Sequence, residues 1–321
     1  MEIKGYTYGY NSKRGMYLTE RARQSRLHLM EIGVNWVCLA FSVKQKTFTS
    51  TEILYDYRRN VTDLEIMGVI KEFHDRGIKV CLKPMIDTDD GVWRAQINFP
   101  DSNMFGEDKY WKEWFNSYRA YLTYYAELAQ YCRCEMLCLG CEMLGTERRE
   151  ADWRETVAAV KEVYSGLLTY NTNHGKEEEA KWYDLVDYVG TSAYYPVEKQ
   201  AGASFEEMCE AWEKIADRLE TVSRKLNKPI LFMEIGCRSA AGCAAMPWDF
   251  MHRDFPVSEE EQARFYRSSL EVMSKRDWFA GYFWWDWSTY IYETREQAAE
   301  DRGFNIYLKQ AEEVVKEYYA K

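Results

Sequence analysis

The sequence predicts an α/β fold: a (β/α)8 barrel, with residues 1–321 forming one domain. Three observations predict it. Eight short apolar runs rich in β-branched and aromatic residues recur along the chain, and stretches with helical spacing lie between them. Two of the runs close on a glutamate, Glu142 and Glu234.

The first two runs lie near residues 5–10 and 35–43. Leu64, Met67, Ile70, Lys71 and Phe73 then recur at helical spacing, and Gly77 ends that helix before a third run at 78–87. The fourth, 136–142, is Met136-Leu-Cys-Leu-Gly-Cys-Glu142. The fifth, 167–173, is the weakest, because it is short and turns polar at its end. A sixth run at 187–195 precedes Ser204, an expected N-cap for a helix carrying Phe205, Met208, Trp212, Ile215 and Leu219 on one face. Asn227-Lys-Pro229 leads into the seventh run, 229–236, which contains Glu234. Ser258 caps another expected helix, and Asp277-Trp278 introduces the eighth run at 279–287.

Composition narrows the partners. A formal charge of −10 argues against nucleic acid, whose phosphates require clustered Lys and Arg. No stretch of 18 apolar residues marks a membrane span, and the first residues lack the basic-then-apolar pattern of a secretion signal. Nine cysteines, an odd number set in apolar runs, suit reduced thiols, so a cytoplasmic location is expected. Cys132, Cys134, Cys138 and Cys141 are close in sequence, yet Cys138 and Cys141 point to opposite faces of one strand, so core packing is expected and no metal. Aromatic residues make up 16% of the chain, and such rings stack on the apolar faces of sugars. Nothing in the sequence sets an oligomeric state.

A single glutamate just beyond a strand is commonly a surface acid. A pair separated by three strand–helix units, at about thirty residues per unit, places acids at the C-terminal ends of strands four and seven. Barrel enzymes carry their chemistry at that end, and two carboxyl groups there suggest glycoside hydrolysis.

The chain resembles glycoside hydrolase family 113, a family of β-mannanases in the clan of retaining barrel glycosidases. The resemblance is carried by Trp36-Val-Cys-Leu-Ala40, Leu82-Lys-Pro-Met-Ile-Asp87, Asp90-Gly-Val-Trp-Arg94, Gly140-Cys-Glu142, Val189-Gly-Thr-Ser-Ala-Tyr-Tyr-Pro196, Met233-Glu-Ile-Gly236 and Gly281-Tyr-Phe-Trp-Trp285. It implies hydrolysis of β-1,4-mannosidic bonds with retained configuration and without a cofactor. By the same resemblance Glu234 is the nucleophile, Glu142 the acid/base, its proton retained by the nearby negative charge, and Tyr194 orients the nucleophile. Trp285 forms the floor beneath the reacting sugar, with Trp284 and Trp287 as neighbouring candidates.

Further candidate sugar contacts are Lys83 and Asp87 after the third strand, Trp93 and Arg94 in the next loop, and Asn173 and His174 after the fifth. Tyr8 and Tyr195, at the ends of the first and sixth strands, complete the set. Cys141 stands where much of the clan has an asparagine that bonds an equatorial 2-hydroxyl; mannose carries that hydroxyl axially, which narrows the match towards mannan enzymes. Met85 occupies a position where the family leads one to expect histidine, and no clear arginine follows the second strand.

The expected substrates are β-mannan-derived oligosaccharides. Two alternatives remain open at this point: a retaining enzyme for gluco- or xylo-oligosaccharides, and a carbohydrate-binding barrel without catalysis. A metal-dependent barrel enzyme is disfavoured by only 4 histidines, none in a His-x-x-x-His pair.

Overall fold

The computed structural model describes residues 1–251 and 254–320. In chain order its elements are β1 (Ile3–Tyr8), α1 (Glu20–Glu31), β2 (Trp36–Gln45), β3 (Ile53–Leu54), α2 (Asp63–His74), β4 (Lys79–Thr88), α3 (Lys109–Cys132), β5 (Met136–Cys141), α4 (Leu144–Glu147) and α5 (Glu150–Val163). They continue with β6 (Leu167–Asn173), β7 (Tyr188–Ser192), α6 (Phe205–Leu226), β8 (Ile230–Ile235), α7 (Glu259–Met273), β9 (Phe279–Trp287), α8 (Arg295–Glu300) and α9 (Gln310–Tyr319).

Strand order in the sheet is β1-β9-β8-β7-β6-β5-β4-β2-β3, and β1 also pairs with β2. That connectivity closes eight strands into a (β/α)8 barrel, as the eight apolar runs predict. The two-residue β3 is an antiparallel addition to the end of β2. Among the eight barrel strands β5 is therefore the fourth and β8 the seventh.

Every residue of β5 and of β8 is buried, the pattern of parallel strands covered on both faces. The fifth barrel strand, β6, has the bounds of the fifth run and is buried from Leu168 to Asn173. Three residues expected after strands lie in them instead: Lys83 and Asp87 are within β4, and Asn173 is the last residue of β6. Polar residues that bond within the barrel do not end a strand, although in a sequence they look like loop.

By contacts the chain divides into two compact units. One comprises residues 1–9, 18–38 and the chain from Thr191 onward. In it β1 lies parallel to β9, and Gly281 stands at φ 145 with the Ile3 carbonyl only 2.0 Å from where a Cβ would sit, so only glycine allows this approach. Helix α6 buries Met208, Trp212, Ala216, Leu219 and Val222, a stripe at spacings of three and four. It starts with a Ser204–Glu207 capping box and ends at Asn227 in the left-handed conformation. Ser258 caps α7, its side chain accepting the Glu261 N–H.

The other unit comprises residues 10–17 and 39–190. Its longest helix, α3, presents Trp111, Trp114, Phe115, Tyr118, Leu122 and Tyr125 to the core. Tyr118 stacks on Trp114 at 4.8 Å, and Trp153 of α5 stacks on Trp182 at 4.5 Å. The strands thus have a wall of aromatic rings behind them. Among the described residues no helix is long and apolar enough to cross a membrane.

Candidate active site

Glu142 follows β5 directly. Its backbone is left-handed at φ 52, a conformation that costs a residue with a Cβ about 1 kcal/mol or more. Its N–H donates to the Asn171 carbonyl of β6 at 2.7 Å, which fixes the turn. Donors to its carboxyl include Trp93 Nε1 and Arg94 Nη1, to Oε2, and Asn173 Nδ2, to Oε1, each at 3.2 Å. The side chain is largely buried.

Arg94 is held by more than Glu142. Its Nη2 lies 2.6 Å from Asp87 Oδ1 and 2.8 Å from the Tyr10 hydroxyl, while Nε donates to the Ile86 carbonyl at 2.9 Å. Tyr10 in turn donates to Asp87 Oδ2 at 2.8 Å. Burial pushes the Asp87 carboxyl up, but Arg94 and the Tyr10 hydroxyl outweigh it and hold Asp87 below its ordinary range. Arg94 is thus shared between two carboxyls, Asp87 at 2.6 Å and Glu142 at 3.2 Å. A candidate in the sequence reading, Arg94 places a cation beside Glu142 from the loop after β4.

Beside this network Ala40, Met85 and Cys141 form an apolar cluster with Tyr10 packed against it. Cys141 accepts a hydrogen bond from Asn171 Nδ2 at 3.1 Å. Successive side chains of a strand alternate, so Asn171 and Asn173 share one face of β6, and Tyr170 and Thr172 share the other.

Glu234 lies within β8 and is buried. The Tyr194 hydroxyl donates to Glu234 Oε2 at 3.1 Å, and the Ala193 N–H donates to the Glu234 carbonyl at 2.6 Å, so the segment after β7 holds both its side chain and its backbone. Gly236, two residues on, would place a Cβ 2.4 Å from the Trp285 carbonyl, so only glycine lets β8 run this close to the end of β9. Trp285 and Asp286 are each partly exposed. Burial, with the nearby Glu234 charge adding to it, pushes the Asp286 carboxyl up to about 7.

Several sequence candidates lie elsewhere. Trp284 is fully buried and stacks on Tyr266 at 4.1 Å and Tyr282 at 4.6 Å. Trp287 is also buried, donating from Nε1 to the Ser25 carbonyl of α1 and packing on His28. Tyr8 accepts from Arg26 of the same helix, and Tyr195 accepts from Arg218 of α6. These four rings fill the layer between strands and helices, which corrects their assignment as sugar contacts. Lys83 is likewise fully buried inside β4. Trp93 remains about half exposed, and His174 is partly exposed at the end of β6.

The sequence reading missed Tyr10, Asn171 and Asp286. Asn171 could have been found, because it repeats Asn173 at strand spacing. Tyr10 was hidden by Gly9, whose φ of 85 breaks the alternation after Tyr8. Asp286 is an acid in an otherwise aromatic strand end, a signal available but unused.

The profile of Glycoside Hydrolase Family 113 matches residues 6–309. Among solved structures, a complex of a GH113 beta-1,4-mannanase is 36% identical, covers 100% of both chains and superposes with a TM-score of 0.91. The GH113 beta-mannanase AaManA from Alicyclobacillus acidocaldarius, in complex with ManMIm, is 39% identical over 99% of this chain and 97% of that one, with a TM-score of 0.90. A beta-glucuronidase from Ruminococcus gnavus, at 15% identity and a TM-score of 0.64 over 100% of this chain and 50% of its own, shares the fold alone. No curated protein sequence matches the chain. A profile match over nearly the whole length, and full-length likeness at this identity, establish that the chain belongs to glycoside hydrolase family 113 and is a glycoside hydrolase.

Proposed function

We propose that this enzyme cleaves β-1,4-mannosidic bonds of short manno-oligosaccharides by double displacement, with Glu234 as nucleophile and Glu142 as acid/base. The observation that carries the reading is the full-length likeness, at 36% and 39% identity, to two β-mannanases. The local chemistry of each carboxyl supports the assignment.

The Tyr194 hydroxyl donates to Glu234 Oε2 and orients the carboxylate whose attack on an anomeric carbon opens the double displacement. Glu142 must give a proton to the departing oxygen and later take one from water. Asp87 shares the Arg94 guanidinium, which lessens the pull of that cation on the proton Glu142 must carry in the first step. In the second step the Trp93, Arg94 and Asn173 donors steady its negative charge. Trp285, partly exposed beside the Glu234 strand, offers a π-face to the sugar C–H groups. A cytoplasmic place of action belongs to the same proposal, supported by the nine cysteines.

The test is incubation of the wild type, Glu142→Gln and Glu234→Gln with mannotriose to mannohexaose, following product anomers by NMR. Retained configuration, lost in both variants, is expected. Cleavage of cello- or xylo-oligosaccharides alone would keep the mechanism and discard mannose. Full activity in Glu234→Gln would reject the assignment of the nucleophile.

A further inference from the structure

Glu147 is a buried acid that the reaction as described does not use. It closes α4, the four-residue turn that begins two residues after Glu142. The Tyr170 hydroxyl of β6 donates to Glu147 Oε1 at 2.9 Å, and Thr172 Oγ1 donates to the same oxygen at 2.9 Å. The Tyr170 hydroxyl also accepts the Met143 N–H at 3.2 Å. Met143 is the residue next to Glu142, so this amide belongs to the peptide group that leaves the left-handed turn.

Each end of that turn is therefore held by β6. The Glu142 N–H is fixed by the Asn171 carbonyl, and the following N–H by the Tyr170 hydroxyl. A hydroxyl can satisfy both bonds only if its proton points away from Met143, and Glu147 is the acceptor that draws it away. The rest of the turn is pinned as well: Thr146 Oγ1 donates to the Met143 carbonyl at 2.8 Å, and Trp182 Nε1 donates to the Glu147 carbonyl at 3.3 Å. The Tyr170 ring is wedged edge-on against Trp153 and Trp182. Nothing in this arrangement touches a reacting atom, yet it sets the direction in which the Glu142 side chain leaves the backbone.

We propose that Glu147 and Tyr170 are positioning residues for the acid/base: Glu147 orients the Tyr170 hydroxyl, which locks the Met143 amide and with it the rotation of Glu142. Burial pushes the Glu147 carboxyl up to about 7, as expected of an acid kept out of water for a purpose other than charge pairing. The proposal rests on the reading of Glu142 as acid/base.

Protonation of the leaving group matters for a sugar alcohol and hardly at all for dinitrophenolate, which departs without help. The test compares kcat/KM for mannotetraose with that for 2,4-dinitrophenyl β-mannobioside. Tyr170→Phe keeps the ring and removes only the hydroxyl. It should lose about tenfold on mannotetraose and stay within twofold on the aryl substrate, a misplacement effect of the size expected for a general acid. Glu147→Ala should behave alike, and Glu147→Gln, which keeps an acceptor, should recover most of that loss. Equal loss on both substrates, or no loss, overturns the proposal, since general damage to the fold lowers both alike. Glu142→Ala is the control: if it shows no selective loss, the acid/base reading fails; if it does and Tyr170→Phe does not, only the positioning role fails. A wild type inactive on both substrates would remove the mannoside reading and this proposal together.

Discussion

At the residue scale, the proposed chemistry depends on hydrogen bonds to two buried carboxyls. Removing the Tyr194 hydroxyl with Tyr194→Phe frees Glu234 Oε2 from its donor at 3.1 Å. A hydrogen bond to a charged group contributes about 1.5–3 kcal/mol, so kcat should fall roughly ten- to hundredfold with KM little changed, measured on mannotetraose. An unchanged kcat would remove Tyr194 from the site. What the sequence made legible is the placement of the two glutamates and this tyrosine at or near the ends of clear strands. Trp284 and Trp287 were not separable from Trp285 by composition alone. The side on which each ring falls depends on the bulge between β1 and β9 after Tyr6, a property of the pairing of two distant strands.

At the element scale, helix α6 shows what holds the scaffold around Glu234. Its central Trp212 is fully buried and packs against Phe232 of β8 and Phe265 of α7. Trp212→Ala should cost about 3–5 kcal/mol by urea unfolding, and Ser204→Ala, which removes the N-cap, about 1 kcal/mol. A Trp212→Ala cost below 1 kcal/mol would mean that the helix face carries little of the packing. The sequence showed α6 well, since both its cap and its stripe are local patterns. It also located β6, but not the contacts of its polar end, which bond Glu142 and Glu147 across the turn after β5 and are invisible in a run of seven letters.

At the scale of the whole molecule, buried carboxyls set the response to pH. Glu147 has a folded value of about 7 against an ordinary 4.5, so the folded state binds its proton more tightly than the unfolded chain. Its stabilising contribution is complete below about 4.5 and is lost as pH rises through 7, a loss of about 3 kcal/mol at 1.36 kcal/mol per pH unit. Asp286 and Glu198, also pushed up to about 7, act in the same direction, more weakly because each is partly solvated. Asp87, held low, acts in the opposite direction and withdraws its contribution at acid pH. Thermal stability should therefore decline from pH 5 to pH 8, and Glu147→Gln should flatten part of that slope. A parallel decline in wild type and variant would exclude Glu147 as its source. None of this was legible in the sequence, where Glu147 is one acid among 52 acidic residues. The eight-strand count was legible, because barrel strands repeat a simple apolar signal.

The left-handed backbone of Glu142 has a consequence for protein engineering. At φ 52 the polypeptide favours glycine or asparagine, so the acid is present against the preference of its own main chain. On the proposed role of Glu142, libraries screened for heat resistance without an activity readout would be enriched in variants that relax this position and lose activity. Selection schemes for this barrel should hold residue 142 fixed and look for tolerance elsewhere.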